Sequence, residues 1–324
     1  MADFDLFNGD ADGIFSLLQL RQAEPRPDAQ RITGVKRDTQ LFRRIATNVR
    51  AGDRITALDI GMSRNIDGVK TALQKNADVF FCDHHASGEI PKADNLTVLV
   101  DASPETCTAF LIDQHLNGAA SAWAVCGAYG DNFQALAARI AADRNLNAPL
   151  GQLRELGELV NYNAYGLTIE DLHFHPNDLY GMLSAYPDPM AFLEDAPDAL
   201  DILRQGHRSD WEIAASAREI HISNAGQILS LPASAASNRI SGLFANALVD
   251  EEPDMAFAVL THLGPDAAGY RVSVRAPMSR PTKHASAFAA EFGGGGRAEA
   301  AGIDLLTDAD MNRFVDSFNA AFGV

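Results

Sequence analysis

Acidic and histidine side chains follow three apolar, strand-like runs of this sequence. They are Asn8, Asp10 and Asp12 after FDLF, Asp59 at the end of ITALDI, and Asp83, His84 and His85 after DVFFC. In an open α/β sheet, ligands bind at the carboxyl ends of the strands, so we expect these side chains to lie at one edge. Gathered carboxylates repel each other unless a cation neutralises them, and Asp with His suits Mn²⁺ or Mg²⁺. The pattern therefore predicts a metal centre.

The spacing of the acids indicates how two metals could be held. Asp10 and Asp12 can each approach a different metal, and Asp59 on a neighbouring strand could bridge the two. Each motif alone has an ordinary structural interpretation: D-x-D-G is a common turn, Asp59 could cap a helix, and Asp83-His84-His85 could be a strand exit. Their joint occurrence at three strand ends favours the metal centre.

The elements that must position these residues alternate between strands and helices. Strands are predicted at 4–7, 31–35, 54–60, 77–83 and 96–100, and helices at 13–23 and 64–76. This β–α alternation predicts a doubly wound, mainly parallel sheet. After residue 103 the pattern becomes helical, and a second, smaller α/β unit follows a polar helical stretch. In that unit YRVSVRA alternates strictly, with Arg271, Ser273 and Arg275 on one face.

Composition limits the partners. The 324 residues carry a formal net charge of −17, which argues against an extended interface with duplex nucleic acid but not against a small anionic substrate at a metal.

The three cysteines and the apolar runs indicate where the protein is located. Cys82, Cys107 and Cys126 lack metal-binding spacing, which favours buried thiols in a reducing cytoplasm. We find no signal-peptide core and no apolar run of about 18 residues, so neither secretion nor membrane insertion is expected.

A glycine run in the second unit could bind phosphate. Gly293 to Gly296 permit positive φ, so successive N–H groups can form an anion-binding nest, with Arg297 directly after them and Arg275 on the alternating strand. The alternative is a flexible loop.

Together these motifs resemble the DHH phosphoesterases. Asp83-His84-His85 matches the family signature, and Asp10-Ala11-Asp12-Gly13, Asp59 in LDIG and Asp131 in GAYGDN resemble three further motifs in order. The run GGGRAEAAG at 294–302 resembles the GGGHxxAAG motif of the accompanying DHHA1 domain. The resemblance covers nearly the whole chain.

The resemblance implies a centre with two Mn²⁺ ions, with Mg²⁺ or Co²⁺ as alternatives. Asp10 would bind one metal and Asp12 the other, Asp59 would bridge them, and His84 and Asp131 would complete the second. Asp83 would support the site. His85 would face the substrate phosphate or its leaving oxygen, and Arg275, Gly295, Gly296 and Arg297 would also bind substrate.

Two departures from the family pattern stand out. Many relatives have a histidine four residues before the Asp10 position, where this chain has Leu6; Asn8 is the nearest polar substitute, so the first metal is expected to bind more weakly or keep an extra water. Arg297 stands where the glycine motif usually has a histidine, which keeps a phosphate-binding capacity.

We therefore expect a DHH domain at 1–190, a helical linker at 191–222 and a DHHA1 domain at 223–324, with the active site in the cleft between the domains. The expected activity is Mn²⁺-dependent hydrolysis of short linear oligonucleotides, in particular dinucleotides such as pGpG, as in nanoRNases. Alternatives are a 3′-phosphoadenosine 5′-phosphate phosphatase, a cyclic-dinucleotide phosphodiesterase, and, in another class, a non-catalytic nucleotide sensor. A short nucleotide is the expected partner, without long duplexes or membranes, and a homodimer is left open.

Overall fold

The fold was taken from a computed structural model that describes residues 1–264 and 268–323. It divides into two compact units, Met1–Arg204 and Gln205–Val324. The predicted α/β class is confirmed, with a parallel sheet in the first unit and a mixed sheet in the second. The predicted domain limits and the substrate cleft stay predictions.

The first unit begins with alternating strands and helices. Its strands are β1 (Asp3–Phe7), β2 (Gln30–Ile32), β3 (Arg54–Leu58), β4 (Asp78–Asp83) and β5 (Leu96–Val100), and its early helices are α1 (Ala11–Ala23), α2 (Phe42–Ile45) and α3 (Met62–Gln74). The helices that follow are α4 (Thr108–His115), α5 (Ser121–Gly130), α6 (Gln134–Asp143), α7 (Leu150–Asn163), α8 (Pro176–Ser184) and α9 (Pro189–Asp195). A short 3₁₀ helix covers Ile169–Asp171.

The five strands are all parallel and lie in the order β2-β1-β3-β4-β5. Side chains alternate across the sheet: Phe7 packs into the cluster that contains α1, whereas Phe4 and Leu6 pack into the cluster that contains α3. Helices thus cover both faces, as doubly wound folds require. The strand order reverses between β1 and β3, and such a switch point is where ligands bind in open α/β sheets.

The second unit contains a six-stranded sheet in the order β10-β11-β9-β8-β7-β6. The strands are β6 (Arg218–Ile222), β7 (Gly226–Leu231), β8 (Ala256–His262), β9 (Tyr270–Arg275), β10 (Gly295–Gly296) and β11 (Ala300–Leu306). The helices are α11 (Ala235–Glu251), α12 (Ala285–Ala290) and α13 (Met311–Phe322), with a 3₁₀ turn at Asp308–Asp310. In this sheet the β7–β8 pair is parallel, and the other four strand pairs are antiparallel.

The segment predicted as a helical linker is only partly helical. Helix α10 (Pro197–Ala215) occupies its middle, but Arg218–Ile222 at its end form β6. The alternation in REIHI is only four residues long, with Ile220 and Ile222 as its apolar positions, so it does not stand out beside the longer helical pattern before it. Pairing with β7 overrides that local pattern.

None of the helices in residues 1–264 and 268–323 is both long enough and apolar enough to cross a membrane. The three cysteines are free thiols and all are buried, as the sequence predicted.

Candidate metal centre

The acids predicted from the strand ends come together at the switch point between β1 and β3. Asp10 caps the N-terminus of α1, and its Oδ1 accepts a hydrogen bond from the Gly13 amide at 3.1 Å. Asp12 lies in the first turn of the same helix and is fully buried. Asp59 follows β3 directly, and Asp83 is the last residue of β4. The parallel sheet thus delivers four carboxylates to one edge.

Asp12 and Asp59 are held in place by the start of α4. The two Asp12 oxygens accept hydrogen bonds from the amides of Thr108 and Ala109, each at 2.7 Å. The Thr108 hydroxyl donates to Asp59 Oδ1 at 3.2 Å. An N-terminus of a helix presents free amides and a partial positive charge, so α4 fixes these carboxylates and stabilises their charge.

Asp59 adopts a strained backbone conformation. Its φ is +60°, in the left-handed region that residues other than glycine rarely occupy. Such strain persists only where the surroundings hold it, and it is common at functional sites.

His84 lies at the centre of the acids. Its Nε2 is 3.5 Å from Asp59 Oδ1, 3.5 Å from Asp131 Oδ2 and 3.8 Å from Asp12 Oδ2. Asp131 arrives from the C-terminal end of α5. Two groups of potential metal-binding residues result, Asp12 with His84 and Asp131, and Asp59 with His84 and His85. One imidazole nitrogen facing three carboxylates is a donor set that suits a divalent cation.

His85 is oriented by Asp83. Its Nδ1 lies 2.7 Å from Asp83 Oδ1, and its side chain is 36 % exposed, whereas that of Asp83 is buried. Burial alone would lower the pKa of His85, but the hydrogen bond and charge of Asp83 raise it. The ring is therefore stabilised in its protonated form and has an accessible edge.

Lys36 enters the centre from the loop after β2. Its Nζ donates to Asp10 Oδ2 at 2.6 Å, to Asp131 Oδ1 at 3.0 Å and to Asn161 Oδ1 on α7 at 3.2 Å. Burial alone would lower the pKa of Lys36, but the charges of Asp10 and Asp131 raise it well above its ordinary value. The ammonium therefore stays charged.

The carboxylates divide into two electrostatic groups. Burial would raise the pKa of Asp10, but the charge and hydrogen bond of Lys36 lower it. In contrast, burial and the neighbouring acids raise the pKa of Asp12 to about 6 and that of Asp59 well above its ordinary value. The region around Asp12 and Asp59 thus holds more negative charge than its neighbours balance.

These observations show that the residues fit a divalent cation. Burial and, after it, the charges of the neighbouring acids raise the pKa values of Asp12 and Asp59, and a cation among Asp12, Asp59, His84 and Asp131 would offset both. Two buried oxygens at this edge, Asn8 Oδ1 and Asp83 Oδ2, also have no hydrogen-bond partner within the described part of the chain.

The structure therefore brings together seven predicted residues and adds three that sequence reasoning missed. The seven are Asp10, Asp12, Asp59, Asp83, His84, His85 and Asp131, and the three are Lys36, Thr108 and Asn161. Lys36 could have been predicted, because it directly follows the predicted strand at 31–35. A position at the carboxyl end of a strand is the same criterion that identified Asp59. Thr108 and Asn161 lie on helices and carry no such signal. Leu6, which stands where many DHH phosphoesterases have a histidine, is fully buried in the apolar cluster of Phe4 and Ile55.

The predicted phosphate-binding residues of the second unit have structural partners. Arg275 donates to Asn246 Oδ1 at 2.6 Å and to the Gly242 carbonyl at 3.1 Å. The amides of Gly293, Gly294 and Arg297 donate to the carbonyls of Ala290, Ala289 and Ala300. The predicted nest of successive free amides is therefore wrong at Gly293 and Gly294, whose amides bond to the last carbonyls of α12. The Arg297 amide is used in the turn between β10 and β11. Substrate binding by Gly295 and Gly296 stays a prediction.

The glycines of this segment allow close backbone packing. A Cβ at Gly296 would lie 2.4 Å from the Ala300 carbonyl oxygen, and Gly296 has φ of +153°. A Cβ at Gly295 would meet nothing within 4 Å. Arg297 itself is exposed in the turn that joins β10 to β11.

Comparisons with known proteins identify the fold. No family model matches the chain, and a search of curated protein sequences gave no match. Among solved structures, a DHH domain described as a member of the S1p family of ribosomal proteins aligns with 98 % of this chain and 86 % of its own, at a TM-score of 0.64 and 13 % identity. The chain has the fold of DHH-domain proteins.

Two further structures of this fold are enzymes by name. Exonuclease RecJ bound to manganese aligns with 98 % of this chain and 89 % of its own, at a TM-score of 0.64 and 17 % identity. The pGpG-specific phosphodiesterase PggH of Vibrio cholerae aligns with 98 % of this chain and 99 % of its own, at a TM-score of 0.55 and 14 % identity.

Proposed function

We propose that the chain is a metal-dependent phosphodiesterase that hydrolyses short linear oligonucleotides, dinucleotides such as pGpG in particular. The observation that carries the proposal is the cluster around His84 Nε2, where Asp12, Asp59 and Asp131 approach within 3.8 Å at the switch point of the sheet. The cluster has the donors for a hard cation, and its surplus negative charge needs one.

The metal-binding residues would be Asp12, Asp59, His84 and Asp131, with Mn²⁺ as the expected metal. When bound, the metal would act as a Lewis acid on the phosphoryl group and lower the pKa of a coordinated water. Asp83 orients the His85 ring, and His85 would hold a proton at Nε2 for the leaving oxygen. Lys36 would neutralise Asp10 and Asp131.

The substrate class rests on charge and on the fold. A net charge of −17 disfavours a long strand as the substrate, because non-specific affinity for nucleic acid comes mostly from neutralised phosphates. PggH, which aligns almost end to end with this chain, is named as specific for pGpG. RecJ aligns nearly as completely and is named an exonuclease. The extent of the alignment therefore does not decide between a dinucleotide hydrolase and an exonuclease.

The experiment is a substrate panel with products resolved by chromatography. The protein with Mn²⁺ would be given pGpG, pApA, 3′-phosphoadenosine 5′-phosphate, cyclic dinucleotides, and single strands of increasing length. We expect rates that are highest for dinucleotides and fall as the strand lengthens. Processive digestion of long strands would contradict the proposal, and removal of the 3′-phosphate or cleavage of a cyclic dinucleotide as the fastest reaction would favour the corresponding alternative.

A non-catalytic nucleotide sensor is the rival function. It predicts tight nucleotide binding without turnover of any member of the panel, including a minimal chromogenic phosphodiester. The partly exposed ring of His85, oriented by Asp83, disfavours this function, because a sensor does not need a positioned proton donor.

A further inference from the structure

Lys36 occupies a place in which a metal ion would otherwise be expected. Three oxygens surround its Nζ, from Asp10 at 2.6 Å, Asp131 at 3.0 Å and Asn161 at 3.2 Å. Carboxylate and amide oxygens are the ligands of hard cations. An ammonium carries three protons, and each has one of these acceptors.

The lysine is held in this position by its backbone and by a neighbouring ring. The Lys36 amide donates to the Ala164 carbonyl at 3.0 Å, which fixes the loop after β2 against the end of α7. Its Nζ also lies 5.6 Å from the centre of the Tyr165 ring, close enough for a cation–π contact. Only 27 % of the side chain is exposed.

Asp131 links this ammonium to the donors around His84. Its Oδ1 accepts from Lys36, whereas its Oδ2 lies 3.5 Å from His84 Nε2. Two divalent ions of a two-metal site lie about 3.5–4 Å apart and share such carboxylates. Here one of the two cation positions that share Asp131 already holds a positive charge.

We propose that this centre binds one divalent metal, and that the ammonium of Lys36 takes the place of the second. The inference rests on the proposed metal-dependent function and narrows it. A second divalent ion at Asp10 would have to displace the ammonium from its shortest hydrogen bond and would be repelled by it. The single metal would be held by Asp12, His84 and Asp131, whose ligand atoms lie within 4.8 Å of one another, with Asp59 Oδ1 3.5 Å from the same His84 nitrogen.

The test counts metals independently of activity. Protein saturated with Mn²⁺ and freed of excess metal would be analysed by elemental mass spectrometry, and its electron paramagnetic resonance spectrum recorded. We expect one Mn²⁺ per chain and the six-line spectrum of an isolated ion. Lys36→Met removes the charge at similar length and should bind two Mn²⁺ per chain with a spin-coupled spectrum.

Two variants serve as controls. Lys36→Arg keeps a positive charge and should stay at one metal per chain. Lys70→Met, an equal change at an exposed position of α3, should also stay at one.

The outcomes separate this inference from the function on which it rests. Two metals in the wild type, or one metal in a folded Lys36→Met, would overturn the inference and leave a metal-dependent hydrolase in place. No metal in any variant would overturn both. If Lys36→Met does not fold, the metal count and spectrum of the wild type still decide.

Discussion

The metal centre and the glycine–arginine segment (residues 293–297) both contain residue types that predict ligand binding, but the two regions differ in how their polar groups are satisfied. In the metal centre, acids from the start of α1 and from the ends of β3, β4 and α5 converge, and their charge exceeds what nearby cations balance. In the glycine–arginine segment, three amides are consumed by backbone hydrogen bonds. Buried charged side chains at strand ends indicate a binding site, because burying them without a ligand is costly. Glycines indicate first of all where the backbone needs a conformation or a close approach that other residues do not allow.

The largest effect is expected from Asp59→Asn. The change removes a charge that faces His84 while keeping an oxygen that can accept from Thr108. Because loss of an outer hydrogen-bond partner of a metal site already costs about 10–100-fold, loss of a direct ligand should exceed that in both metal affinity and turnover. Metal content and rate would be measured on the same sample.

Asparagine tolerates the left-handed backbone at position 59, so the variant should fold. Circular dichroism would check this. Near wild-type rate with full metal would show that Asp59 is not a ligand.

The next effect is expected from His85→Ala, which separates proton transfer from metal binding. A positioned general acid contributes about 10²–10⁴-fold, so turnover of a dinucleotide should fall within the lower part of that range. The metal content should not change, because Asp12, Asp59, His84 and Asp131 remain. A substrate whose leaving group needs no proton, such as a nitrophenyl ester, should be affected much less.

If His85→Ala also loses its metal, His85 belongs to the ligands, as its grouping with Asp59 and His84 would allow. Elemental analysis of the variant distinguishes the two roles.

A smaller effect is expected in the glycine–arginine segment, where two neighbouring glycines form a matched pair. Gly296→Ala places a Cβ 2.4 Å from a carbonyl oxygen at a φ of +153°, so it should destabilise the fold by about 1–3 kcal/mol. Gly295→Ala meets no atom within 4 Å and should leave stability nearly unchanged. Denaturant unfolding of both variants would measure the difference.

Equal stability of the two variants, with substrate affinity lost in both, would instead restore a phosphate-binding role for the run. In that case the glycine–arginine segment would bind a ligand, as the metal centre is proposed to do.

Sequence reasoning gave the strands of the parallel sheet to within a few residues, because apolar runs and turn residues mark them locally. It located the acids for the same reason, since Asp59 and Asp83 stand at strand ends. It missed β6 because the alternation of this edge strand covers only four residues, directly after a long helical pattern. It missed the role of Lys36 because its partners Asp131 and Asn161 are 95 and 125 residues away, and only the packing of α5 and α7 brings them close.

The smallest effect is expected from Arg297→Ala, which tests what remains of substrate binding in the glycine–arginine segment. Arg297 is exposed in the β10–β11 turn, whereas Arg275 is held by Asn246 and Gly242. Removing Arg297 should therefore change stability by less than about 0.5 kcal/mol. If it binds a phosphate of the dinucleotide, KM should rise about tenfold, since an exposed charged contact is worth about 1.5 kcal/mol. Hydrolysis of a minimal chromogenic phosphodiester, which contacts only the metal centre, should not change.

A loss of activity on both substrates would mean that Arg297 supports the fold. A loss on neither substrate would leave Arg275 as the only arginine proposed for substrate binding. Arg275→Ala is the informative companion, because its hydrogen bonds to α11 predict a loss of stability that Arg297→Ala does not share.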